Sequence, residues 1–105
     1  MKIRYLALTA ALSVSATAFA AGDGAALFKQ HNCGTCHAAA GKSLGPTLAD
    51  ITAKYKGDKA APARLETKVR NGGAGAFGTM PMPPTAKTIG DGDIKAMVAW
   101  ILGQK

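Results

Sequence analysis

The sequence predicts an all-α fold of about four short helices. Three observations predict it. Apolar residues recur at helical spacing in several segments, no run alternates in the manner of a strand, and the stretch Cys33-Gly34-Thr35-Cys36-His37 sets two thiols and an imidazole side by side.

That stretch is the c-type haem attachment pattern. Two thiols can add across the two vinyl groups of one haem, and the two intervening residues set the span between them. His37 follows at once and can ligate iron from the proximal side. The helices are then expected to wrap around one covalently attached haem c, bound through Cys33 and Cys36. Cys-x-x-Cys also serves thiol exchange and half of a zinc site. A thioredoxin-like motif belongs beside a βαβ unit, for which there is no strand pattern. A zinc site usually needs a second ligand pair, and the only other histidine is His31.

The chain opens with a basic tip, Lys2 and Arg4, followed by an apolar run and the small-residue end Ala18-Phe19-Ala20. This reads as a secretory signal peptide over residues 1–20, with Ala21 the expected mature start. The apolar run is well short of the ~20 residues a spanning helix needs, so no stable membrane insertion is expected. Residues 21–105 make one small domain, whose core would be marginal without help. A buried haem gives side chains a large apolar surface to pack on, and the haem-free chain is expected to be largely unfolded.

Residues 22–32 form the first expected helix, with Asp23 as N-cap and Leu27 and Phe28 as its apolar positions. It ends by delivering Cys33. His31 stands between Gln30 and Asn32, which predicts a solvated ring. A loop of small and polar residues follows and closes at Gly45-Pro46. A ligating histidine normally donates its other ring N–H to an acceptor; a carbonyl near Pro46 is the candidate, and a simple loop end is the alternative. Residues 47–56 carry Leu48, Ile51 and Tyr55 at helical spacing, and residues 58–70 carry Ala61, Leu65 and Val69. Pro62 fits only in the first turn of the second of these helices. Asn71-Gly72-Gly73 ends it.

From Gly72 to Gly90 no period is visible, and Met80-Pro81-Met82-Pro83-Pro84 lies in the middle. A thioether binds iron weakly, so a methionine ligand needs a loop held in place beforehand. Met82 is enclosed by prolines, which favours it over Met80 as the distal ligand; both as gap fillers is the alternative. Ile94, Met97, Val98 and Ile101 mark a terminal helix capped by Gly90 or Asp91. That helix is expected to cross the first one and bring Phe28 near Trp100.

Thirteen Lys and Arg against six Asp and Glu give a formal net charge of +7. The basic residues are scattered without aromatic interleaving, so nucleic acid is not an expected partner. Most such cations keep a protein soluble, and a subset can steer it toward an acidic redox partner. Lys29, Lys42 and Lys87 are candidates for that subset.

Taken together, Cys33, Cys36, His37, Gly45-Pro46, the Asn71-Gly72 stop, Pro81-Met82-Pro83-Pro84 and Ala99-Trp100-Ile101-Leu102 resemble the small bacterial monohaem class I cytochromes c of the c-551 type, over the whole of residues 21–105. The resemblance implies the all-α class I fold, His37 proximal, Met82 distal and the Pro46 carbonyl orienting His37. It also implies transfer of single electrons between periplasmic respiratory redox proteins; a monomer suits such a diffusing carrier, and no enzymatic activity is expected. A haem sensor or enzyme with an open distal site, and an electron-entry subunit of a larger oxidoreductase, are the other readings. Two positions depart from a close subgroup of that family. Phe77 stands where tryptophan would donate to a haem propionate, and Thr85 where asparagine would contact the methionine sulfur. Lys68 and Arg70 then remain as propionate partners.

Overall fold

The computed structural model describes residue 11 and residues 23–104. The leader expected at residues 1–20 and the start expected at Ala21 lie outside the described residues. Four α-helices carry the regular structure: α1 (Gly24–Gln30), α2 (Leu48–Tyr55), α3 (Ala61–Asn71) and α4 (Asp91–Leu102), with a 3-10 turn at Cys33–Thr35. Among the described residues the only β-type pairing is one isolated antiparallel bridge, between Gly73 and Met82. The fold is all-α, as the spacing predicts. None of the described helices is long and apolar enough to cross a membrane.

Helices α1 and α2 begin where a side chain satisfies their first N–H groups, whereas α3 and α4 have no side-chain cap. Asp23 Oδ1 accepts from the N–H groups of Ala25 and Ala26, at 3.1 and 3.4 Å. At α2, Thr47 and Asp50 form a reciprocal capping box: the Thr47 hydroxyl accepts from Asp50 N at 3.1 Å, and the Asp50 carboxylate accepts from Thr47 N at 3.4 Å. Helix α3 starts at Ala61, three residues later than Asp58. The carboxylate of Asp58 accepts from Ala60 N at 2.9 Å, so Asp58 builds a turn of its own ahead of the helix. Pro62 sits in the first turn of α3. At α4 the cap is Gly90, and Asp91 and Asp93 lie in the first turn, where the helix dipole favours negative charge.

The core is Phe28, Leu48, Ile51, Ile94, Met97 and Val98, with Ile94 and Val98 almost completely enclosed. Helix α4 supplies half of these residues and packs on α1, α3 and α2 in turn. Phe28 of α1 meets Trp100 of α4 with ring centroids 5.1 Å apart and planes inclined at 50°. The expected crossing is therefore present. Gly24 makes it possible, because a Cβ there would run into Ala96 O and the Trp100 side chain. The Thr52 hydroxyl lies 2.8 Å from Leu48 O and 3.1 Å from Ile101 O, and so ties α2 to the end of α4.

Candidate haem site

Residues 33–37 form one tight turn rather than a loop. Cys36 N and His37 N both donate to Cys33 O, at 3.2 and 3.1 Å. Residues three and four apart in such a turn share a face, which gathers Cys33, Cys36 and His37 on one side. Asn32 leads into the turn with φ 58°, a left-handed geometry that asparagine tolerates better than most residues. Both cysteines are free and half-buried. Burial pushes the Cys33 thiol above its ordinary pKa, with a backbone hydrogen bond acting the other way.

The following loop is stitched to this turn. Cys36 O accepts from Gly45 N at 2.7 Å and from the Ser43 hydroxyl at 2.6 Å, and Ser43 Oγ accepts in turn from Ala38 N at 2.9 Å. The stitching brings Pro46 under the imidazole: Pro46 O lies 2.8 Å from His37 Nδ1. A carbonyl can only accept, so Nδ1 carries the proton and Nε2 keeps its lone pair for a metal. Gly45 leaves room for the ring, since a Cβ there would lie 2.9 Å from His37 Cε1.

His37 and Cys33 border a concave apolar space of about 1020 Å³, open mouth included. Leu65, Val69, Met97, Val98 and Ile101 form much of its wall, and Met80 and Met82 border it too. The two methionines differ in how they are held. Met82 is half-buried, and its N–H and C=O exchange bonds of 2.8 and 2.9 Å with Gly73. Met80 is 64 % exposed. The bridge depends on Gly72, whose φ is 69° and where a Cβ would lie 2.8 Å from Pro83 C and Pro84 N.

At the mouth, Phe77 is 41 % exposed. Its ring takes the edge of Tyr55 at a centroid distance of 6.3 Å and the Lys54 ammonium at 5.1 Å. Lys68 borders the cavity and reaches Ala74 O at 3.4 Å. Arg70 is turned elsewhere. Its guanidinium binds Ile89 O at 2.6 Å, Ala86 O at 3.2 Å and the Asp91 carboxylate at 2.7 Å, which leaves Lys68 as the cation at the wall. Lys29, Lys42 and Lys87 do not border the cavity; Lys68 does, with Lys54 above Phe77. His31 departs from expectation: its Nε2 is buried without a hydrogen-bond partner among the described residues. No group of three or more His, Cys, Asp or Glu among the described residues converges to hold a metal ion.

The chain matches the cytochrome c family model over residues 21–105. It belongs to the cytochrome c family. Cytochrome c-551 of Allochromatium vinosum is 47 % identical over 77 residues, 73 % of this chain and 81 % of that protein. Cytochrome c-552 of Nitrosomonas europaea is 39 % identical over the full length of both chains. The crystal structure of wild-type Nitrosomonas europaea cytochrome c552 matches with a TM-score of 0.71 and 42 % identity, covering 77 % of this chain and 99 % of that one.

This cytochrome carries haem c, attached through Cys33 and Cys36, and is a monohaem electron carrier. The residues present fit that group. Two thiols stand on one face of a turn, one imidazole has a free nitrogen, thioethers border the same cavity, and the rest of the wall is largely apolar. Sequence reasoning missed four features. Ser43, the Gly73 bridge and the Lys54–Phe77 contact involve partners whose meeting depends on loop paths; only the fourth, the Thr47-x-x-Asp50 box, carried a local signature.

Proposed function

We propose that this cytochrome is a periplasmic carrier of single electrons between respiratory redox proteins, with His37 and Met82 as the axial ligands of its haem iron. One observation carries the reading: an imidazole and a thioether border the same apolar cavity, and each is fixed by backbone groups, His37 by Pro46 O and Met82 by Gly73. The bound haem supplies the one-electron chemistry, and His with Met ligation raises its potential. The chain's part is to hold both ligands still and to exclude water from most of the site. A thioether binds weakly, so a pre-fixed loop is what makes it competitive with water or solute ligands.

Pro46 orients His37, and Lys68, from the cavity wall, serves a propionate. Phe77 covers the mouth without offering a hydrogen. Partner choice follows from charge. Both ion pairs among the described residues use arginine, Arg64 with Asp58 and Arg70 with Asp91, so no lysine among the described residues is neutralised by a carboxylate. Such a surface speeds encounters with an acidic partner. The basic tip and apolar run of residues 1–20 support export and removal of that segment, leaving residues 21–105 as a monomer that diffuses between donor and acceptor.

The test is the visible spectrum of the haem-loaded protein, oxidised and then reduced, with and without carbon monoxide. A low-spin spectrum indifferent to carbon monoxide is expected. Ready binding would put a sensor or enzyme with an open distal position first. Mass spectrometry of the exported protein checks the start at Ala21.

A further inference from the structure

Pro83 and Pro84 have no N–H to donate, so the stretch after Met82 can be fastened by backbone donors only at its two ends. Both ends are fastened, one to Gly73 just past the C-terminus of α3 and the other to the last turn of α3 itself. On one side Met82 exchanges its two bonds with Gly73. On the other, Thr85 N donates to Val69 O and Arg70 O, each at 3.2 Å, and the Thr85 hydroxyl donates to Val69 O at 2.6 Å in a partly buried setting. Those carbonyls belong to the last turn of α3, where the helix has no internal donors left. Thr85 caps α3 from a distance, and α3 holds Thr85.

We propose that Thr85 is a positioning residue for the axial sulfur. Its hydroxyl, engaged at Val69 O, fixes the far end of the Pro83-Pro84 segment and so keeps the Met82 thioether at the iron. The inference rests on Met82 being the ligand. The influence runs through the loop backbone and not to the sulfur itself: a hydroxyl has one hydrogen, and here it is spent on Val69 O. An asparagine amide, with two hydrogens, could bond elsewhere and still reach the thioether. Threonine at this position therefore ties the hold on sulfur to the integrity of the α3 terminus.

Imidazole titration of the ferric holoprotein reads the hold directly, because imidazole must displace the sixth ligand. Thr85→Val keeps the shape and removes the hydroxyl. It should raise imidazole affinity about five- to tenfold, the loss of roughly one hydrogen bond, while Thr85→Ser stays near wild type. Met82→Ala should exceed both. If Met82→Ala binds tightly and Thr85→Val matches wild type, the positioning role is overturned and the ligand assignment stands. If Met82→Ala matches wild type, both fall. A merely structural role would lower the unfolding midpoint of Thr85→Val and leave imidazole affinity unchanged. The wild-type protein supplies a check that needs no variant: the Thr85 hydroxyl proton should exchange slowly with solvent by NMR, and exchange as fast as that of an exposed threonine would overturn the proposal.

Discussion

Met80 and Met82 sit two residues apart on one loop and border the same cavity, yet only Met82 has its backbone paired. The difference gives a sharp expectation. Met82→Ala should lower the reduction potential and let carbon monoxide bind the ferrous protein, whereas Met80→Ala, at a 64 % exposed side chain, should leave both near wild type. Voltammetry of the two variants checks it, and exchanged effects would move the ligand to Met80. Gly45 is the second test at this scale. A Cβ there would press on His37 Cε1 at 2.9 Å and Nδ1 at 3.1 Å, so Gly45→Ala should tilt the ring away from Pro46 O. The cost of such overpacking is about 1–3 kcal/mol, read as a lower unfolding midpoint together with shifted His37 ring resonances. His31 shows what single residues hide. Its polar neighbours Gln30 and Asn32 pointed to solvent, but orientation in a turn depends on backbone angles, and Asn32 at φ 58° redirects the chain.

Helix α3 does more than pack. Its C-terminal turn anchors the methionine loop at Thr85, Gly73 just beyond it pairs with Met82, and Arg70 fastens the later part of that loop to α4 through Ala86, Ile89 and Asp91. Gly72 is where the anchoring is most exposed to mutation. Gly72→Ala would combine an unfavourable positive φ with contacts against Met82, Pro83 and Pro84. It should destabilise the holoprotein by about 1–3 kcal/mol and raise its affinity for added imidazole; denaturant titration and ligand binding read the two effects separately. At α1, Asp23→Ala should cost about 1 kcal/mol, seen as a lower thermal midpoint with the visible spectrum unchanged. The helices themselves were legible, because apolar spacing and caps are local. Leu48, Ile51 and Tyr55, or Ile94, Met97 and Val98, announce a buried face wherever they occur. The bridge between Gly73 and Met82 was not legible, since paired backbone groups leave no side-chain signature. Nor was the partner of Arg70, which is set by where two loops end.

At the scale of the molecule, α1, α2, α3 and α4 all contribute to the apolar wall of one concave space. A domain of this size has little core to spare, so removal of the haem should leave a chain with poorly dispersed amide resonances. A well-dispersed NMR spectrum from haem-free protein would contradict that. The unpaired lysines give the other global expectation. Electron transfer with an acidic partner should slow as ionic strength rises past about 0.1 M, where the Debye length is about 10 Å, and a rate indifferent to salt would remove the steering role. The centre of the site was legible because five consecutive residues carry it; the mouth was not, because Lys54, Tyr55 and Phe77 come from α2 and a distant loop.

The contact between Phe28 and Trp100 joins the first described helix to the last. Cys33, Cys36 and His37 lie within five residues, whereas the helix that closes over them lies some sixty residues further on. Attachment therefore needs only a local turn, which an unfolded chain can offer, while closure by Ile94, Met97, Val98 and Trp100 needs the whole domain.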